Sequence, residues 1–391
     1  MKFSQRLPAT FYQDVHGRVR TELERYGLDA LIVDDPHEVA YLSGFFHHPN
    51  ERPAAVWISA DRSVLLLPEL EREHAIAQNA AVDQIVAFAE YPGVHSPFEP
   101  LAREIGRSGN WGHSPMLATG RLHELQSVFD GVAWRMCGIV DALRLIKSPE
   151  EIDLHRQAAA LGDVMLHAGR NLIEAAIADG GALPTEAELA GHVTRSGTDW
   201  MYATHGDVVV VPMLAAGLVY AGANTAFPHG LPSSYRLQPG DTVILSLGGA
   251  VGGRYAESER TFFLGDPTDE QRRYFEADHR AQEVGTKELR PGAVCRDVNR
   301  ACLDVIRDAG LGEYIRHRQG HGIGLNFHEP PWLEDGDASA LEAGMVVSSE
   351  PGIYVPGHAG YRISDTVLIT DDGAERLTCY PRDLDDVIIK L

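Results

Sequence analysis

The 391-residue chain is 44% apolar and 23% charged, an ordinary globular balance, and its length calls for two hydrophobic cores. A formal net charge of -22 without a basic stripe argues against phosphate-backbone binding, so no nucleic-acid partner is expected. The apolar run from Val208, "VVVVPMLAAGLVYAGA", is too short to span a bilayer and contains Pro212, the N-terminal "MKFSQRLPATFYQD" has no apolar signal core, and Cys137, Cys295, Cys302 and Cys379 show no CxxC pair; a cytoplasmic protein with reduced thiols and no membrane partner is expected.

In chain order, residues 12–27 have the period of an amphipathic helix, followed by the strand "DALIVDD", a helix-like "HEVAYLSG" and the strands "AAVWIS" and "SVLLLP". Helical "ELEREHAIAQNA" and strand-like "QIVAFA" continue this alternating α/β pattern, and the signals weaken up to "CGIVDALRLIKSPEE". There Ser148, Pro149 and Glu151 form a helix start of the S-x-x-E type, which places the domain boundary between 147 and 148. The second domain, 148–391, opens with a helix running to near Gly180 and another begun by "PTEAEL". Strands "VVVVP" and "TVILSLGG" follow, the latter joined through glycines to "RYAESERTFFL". Two helices, "TDEQRRYFEADHRAQEVG" and "AVCRDVNRACLDVIRDAG", then lead through a Gly-rich loop, "GHGIGL", to strands "MVVSSE" and "YRISDTVLIT", which suggests a duplicated α+β unit.

Glu257 and Glu259 stand two residues apart in an otherwise apolar strand. Residues at that spacing face one side, so the two acids share a space and repel unless a cation, a proton or a polar substrate lies between them. "GHGIG" lacks the lysine and glycine spacing of a phosphate loop, which excludes a nucleotide site.

Five stretches, "NTAFPHG", "LSLGG", "YAESERT", "GHGIGLNFHEPP" and "SSEPGIY…YRISDTV", together with "YLSGF" and "IKSPEE", resemble the pita-bread family of creatinase, prolidase, Xaa-Pro aminopeptidase and methionine aminopeptidase over essentially the whole chain. The resemblance implies a creatinase/prolidase-type α/β N-terminal domain, an α+β pita-bread catalytic domain and a homodimer. In the metallopeptidases of the family it implies a two-metal site of Asp, Asp, His, Glu and Glu, and those positions fall on Ser246, Glu257, His321, Glu350 and Ser364. Neutral serine hydroxyls are poor ligands for such ions, so a dinuclear centre is not expected. A single divalent ion, Mn, Co, Fe or Zn, held by Glu257, His321 and Glu350, is the alternative.

Glu259-Arg260-Thr261 and Arg52, seven residues after the Phe45 of "SGF", resemble the metal-free creatinase branch, while "AFPHG", "HEPP" and "EPGIY" are spelled as in the peptidases. By that resemblance His229 is the acid-base residue, with His321, His328, Glu259 and Glu350 also catalytic. Arg52, from the neighbouring subunit, meets a substrate carboxylate, with Glu257 and Arg362 as further substrate-binding groups. The leading expectation is hydrolysis of a non-peptide carbon–nitrogen bond in a small carboxylated substrate, without a cofactor. A metal-dependent Xaa-Pro dipeptidase or aminopeptidase with one ion is the first alternative, and a catalytically silent binding protein of the same fold is the second.

Overall fold

The computed structural model describes residues 2–91, 93–209 and 215–391. They fall into two compact units, one formed by residues 6–91, 93–144 and 209 and one by residues 2–5, 145–208 and 215–391. Among the described residues, no helix is long and apolar enough to cross a membrane.

The N-terminal unit is built on a six-stranded mixed sheet in the order Gln84–Phe88, Ser63–Pro68, Ala55–Ser59, Ala30–Val33, Ser108–His113, Gly131–Met136. Its three central strands, Ala30–Val33, Ala55–Ser59 and Ser63–Pro68, are buried at every position, and so read as unbroken apolar runs. Ser108–His113 and Gly131–Met136 gave no clear strand signal. The former carries Gly109, Asn110 and Gly112, and both are held by an aromatic core in which Trp111 meets Trp57, Phe129 and Trp134.

The C-terminal unit opens with helix α1 (Pro149–Ala178), which starts at the Ser148/Glu151 capping box, and continues with α2 (Glu186–Thr204), begun by a second box of Thr185 and Glu188. Strands β1 (Ala215–Ala221), β2 (Thr242–Val251) and β3 (Arg254–Leu264) follow, then helices α3 (Asp269–Glu288) and α4 (Cys295–Asp308). The remaining strands are β4 (Gly320–Gly322), β5 (Glu329–Leu333), β6 (Val346–Ser349), β7 (Gly352–Val355), β8 (Ala359–Arg362), β9 (Ser364–Thr370) and β10 (Gly373–Arg376). One sheet runs in the order β5-β4-β6-β9-β3-β2-β1, with β10 added beside β9 and Ile388–Ile389 beside β3, while β7 and β8 pair separately.

Two expectations change here. The "GHGIGL" stretch is not all loop: Gly320–Gly322 is a strand with neighbours on both sides, and His321 is fully buried in it. A Cβ at Gly320 would collide with the carbonyl of Ser348, and one at Gly322 with that of Pro330, so the glycines admit neighbouring backbone on either side of His321. "YRISDTVLIT" is two strands interrupted at Ile363, because the chain leaves the pairing with β7 and enters the main sheet between β6 and β3. The expected strand "VVVVP" runs into residues outside those described.

Helix α1 lies close against β2 and β3. Gly169 meets Leu245, and Gly162 meets Ser258, so Ser258 faces the helix while its neighbours Glu257 and Glu259 face the other side of the sheet. The first turn of α1 is tied to the start of β3 by Arg254, whose Nη2 lies 2.8 Å from Glu151 Oε1 with both side chains buried. Replacing Arg254 by Met leaves the Glu151 carboxylate buried and unpaired. Denaturant unfolding of Arg254→Met should show a loss of about 3–5 kcal/mol, much of it recovered when Glu151→Gln is added.

Candidate active site

The alternation of β3 brings both acids of the "YAESERT" stretch to one pocket, a cavity of about 550 Å³ lined also by Leu218, His229, Ser246, His317, Arg318, Phe327, His328, Glu334, Glu350 and Arg362. Of the residues singled out from the sequence, His229, Glu257, Glu259, His328, Glu350 and Arg362 line this cavity, and His321 lies directly behind Glu350. Arg52 belongs to the N-terminal unit, where it pairs with Glu51 and Glu90.

Glu259 is neutralised from within the chain. Its Oε2 lies 2.7 Å from Arg362 Nε, with both side chains almost fully buried, and its Oε1 accepts from Ser246 Oγ. Arg362 also donates to the carbonyl of Pro228 and to Tyr354 Oη, at 3.2 and 3.3 Å. That guanidinium is therefore committed to framework contacts, which makes the expected substrate-binding role of Arg362 indirect.

Glu257 has no such cation. Its Oε1 accepts from Ser364 Oγ at 2.7 Å and from Ser348 Oγ, and its Oε2 lies 3.9 Å from His321 Nε2. Burial, and after it the negative charge of Glu350, pushes the Glu257 carboxyl up to about 8. His321 and Glu350 form a second internal pair at 3.1 Å. Burial disfavours both charges, yet each partner overrides it: Glu350 is held down at about 2 by the imidazolium, and His321 is drawn up to about 9 by Glu350 and Glu257. His328, whose ring centroid is 3.8 Å from that of His321, is brought down to about 4 by burial and then by the charge on His321, so it is neutral at pH 7.

The donor set fits only part of the metal chemistry that the sequence resemblance implies. Ser246 and Ser364, at two of the five ligand positions, spend their hydroxyls on Glu259 and Glu257, and Arg362 already neutralises Glu259. A second dication does not fit there. One ion does fit: ligand atoms of Glu257, His321 and His328 all lie within 4.8 Å of one another. The Nδ1 of His321 is 2.9 Å from the Gly322 carbonyl, which can only accept, so Nδ1 keeps its proton and Nε2 is the nitrogen that can ligate once the imidazolium gives up its other proton. That buried Nε2 makes no aligned hydrogen bond, since the contact with Glu350 is off-axis. Two of the three expected ligands, Glu257 and His321, lie in this cluster together with His328, and the third, Glu350, lies 3.1 Å from His321 Nε2.

Sequence reasoning passed over Ser348, His317, Arg318 and Phe327. Ser348 was within reach, being two residues before Glu350 and so on the same strand face. His317 was not, because its place depends on a ring nitrogen 2.8 Å from Tyr354 Oη, a partner 37 positions away.

Residues 153–371 match the description "Metallopeptidase family M24", and residues 16–146 match the creatinase/prolidase N-terminal domain. An Xaa-Pro dipeptidase from Lactobacillus helveticus is 30% identical over 370 residues, covering 93% of this chain and 96% of its own length. The chain belongs to metallopeptidase family M24. A solved dipeptidase from Mycobacterium ulcerans superposes with a TM-score of 0.85 at 28% identity, covering 99% of this chain and 100% of that one. The prolidase of Pyrococcus horikoshii gives 0.82 at 26% identity, covering 95% and 99%. The M24 chain therefore has a creatinase-type N-terminal domain and a pita-bread catalytic domain, and is a prolidase-like hydrolase.

The pKa values near 8 and 9 of Glu257 and His321 mean that both hold protons at pH 7 in the metal-free protein. An ion taking their ligand atoms must expel those protons. Calorimetric titration with a divalent ion at pH 7, in buffers of different ionisation enthalpy, should report release of about two protons per ion, falling to about one in Glu257→Gln.

Proposed function

We propose that this M24 protein is an Xaa-Pro dipeptidase that works with one divalent ion held by Glu257, His321 and His328. The observation that carries the reading is the convergence of ligand atoms of Glu257, His321 and His328 within 4.8 Å of one another, around a buried His321 Nε2 that makes no aligned hydrogen bond. The relatives add support, being dipeptidases by name; they favour peptide-bond cleavage over the non-peptide carbon–nitrogen bond expected first.

An ion held by Glu257, His321 and His328 would supply Lewis-acid chemistry toward a scissile carbonyl and an attacking water. Glu350, beside His321, orients that water through its ionised carboxylate. His229, exposed on the pocket wall, hands a proton to the leaving nitrogen. Leu218 and Phe327 supply apolar wall for a prolyl ring. The guanidinium left open to a substrate carboxylate is that of Arg318, 28% exposed, which stacks over Trp332 at 4.3 Å and is oriented by Glu334 Oε2 at 2.8 Å. Association as a cytoplasmic homodimer, with Arg52 of a neighbouring subunit as a second carboxylate contact, belongs to the same proposal, as does a boundary between domains 1–147 and 148–391.

A second reading stays on one observation. The Arg362–Glu259 pair and the hydroxyls of Ser246 and Ser364 on the two glutamates give the pocket much of its own neutralisation, as a creatinase-like, metal-free hydrolysis through His229 would require.

Metal analysis separates the two. The dipeptidase reading expects about one Mn, Co, Fe or Zn per chain, hydrolysis of dipeptides ending in proline that stops on chelation and returns with the ion, and a loss of at least about 100-fold in kcat/KM for His321→Ala. Turnover unaffected by chelation would leave the metal-free reading in its place. For Arg318→Met, KM for a dipeptide should rise about tenfold or more, with kcat little changed and no such rise for the C-terminal amide of the same dipeptide.

A further inference from the structure

The sheet that carries the catalytic acids has a second polar centre on its other face. In the ladder between β3 and β9, Glu259 pairs with Ser364 and Ser258 with Asp365. Ser364 reaches Glu257 in the pocket, so Asp365 points away from it, to the side where Ser258 packs on α1 and Gln282 of α3 donates to Asp365 Oδ2 at 2.9 Å.

Three guanidiniums converge on that buried carboxylate. Arg260 is bonded to Oδ1 at 2.8 Å and is otherwise occupied by backbone carbonyls. Arg376 and Arg382 stand 3.7 and 3.8 Å from Oδ2, beyond hydrogen-bond length, with side chains 33% and 20% exposed. Arg382 donates to Gln282 Oε1, which is neutral, and shares the single carboxylate of Asp365 with Arg260 and Arg376, so the cluster carries more positive than negative charge.

Arg382 forms one end of a cavity of about 640 Å³ between α3, the residues following it through Arg290, and the hairpin turn at Asp372–Ala374. Arg280 and Lys287, seven residues apart on one face of α3, also line it. Arg280 lies 3.6 Å from Glu283 and Arg290 2.7 Å from Glu288, exposed pairs worth little, whereas Lys287 has no carboxylate partner among the described residues. Asp372, at the hairpin turn, also lines the cleft. Scattered surface cations are ordinary and need no ligand. Here four cations, Arg280, Lys287, Arg290 and Arg382, line one concave site with three carboxylates, Glu283, Glu288 and Asp372, a small local excess of positive charge on a chain of net charge -22.

We propose that this cleft binds a small, multiply charged oxyanion, a phosphate or polycarboxylate, between Arg382 and Lys287 on the face of the sheet opposite the catalytic pocket. The fork of Arg382 suits two oxygens of one such group, and Lys287 meets a third as a point charge. The assignment is independent of which bond the enzyme cleaves.

Isothermal titration of the whole protein with inorganic phosphate, and separately with citrate, each against chloride at matched ionic strength, tests it. Saturable binding of at least one of the two is expected. Arg382→Gln and the exposed Lys287→Gln should each weaken it about tenfold, while His321→Ala binds as the parent does. Tighter phosphate or tighter citrate would tell a phosphorylated from a carboxylated ligand. Three results would overturn the proposal: no binding of either anion beyond chloride, unchanged affinity in folded Lys287→Gln, or loss of binding in His321→Ala, which would assign the anion to the catalytic pocket.

Discussion

Two carboxylates buried two residues apart on one strand would unfold that strand if both were charged and alone, and much of the second unit is arranged around that cost. Glu259 is met by Arg362, an ion pair within the chain. Glu257 is met by hydroxyls and, 3.9 Å away, by the His321 imidazolium that Glu350 holds more closely. The asymmetry divides the pocket into a half that has supplied its own cation and a half that still has room for one.

That division accounts for how a family of two-metal chemistry can tolerate serines at two ligand positions. A hydroxyl cannot replace a bridging carboxylate toward a dication, but it can donate to a glutamate, and Ser246 and Ser364 both do so. The pocket thereby exchanges coordination for hydrogen bonding at both glutamates, while the Gly322 carbonyl holds the His321 ring with Nε2 toward Glu257 and Glu350.

The sheet transmits this order to both of its faces. Glycines in α1 let the helix press on β2 and β3, which commits alternate residues of β3 to helix or pocket. The same alternation in β9 sends Ser364 to the catalytic acids and Asp365 to the arginine cluster behind them. Two polar centres of opposite need, one short of positive charge and one with an excess of it, thus stand back to back on a shared pair of strands.

The sequence alone determined what depends on short-range pattern. The capping box at Ser148 and Glu151, the buried apolar strands of the N-terminal unit, and the shared side of Glu257 and Glu259 follow from helix capping and from the two-residue strand period. The motif set from "NTAFPHG" to "YRISDTV" likewise carried the family and the fold. The tertiary structure decided what depends on partners far apart in the chain. Arg362 turned inward to Glu259, His328 came beside His321, and His321 lay in a strand that glycines hide from pattern reading. Charge, protonation and coordination are fixed by distances of a few ångströms across strands, and spacing along the chain does not encode those distances.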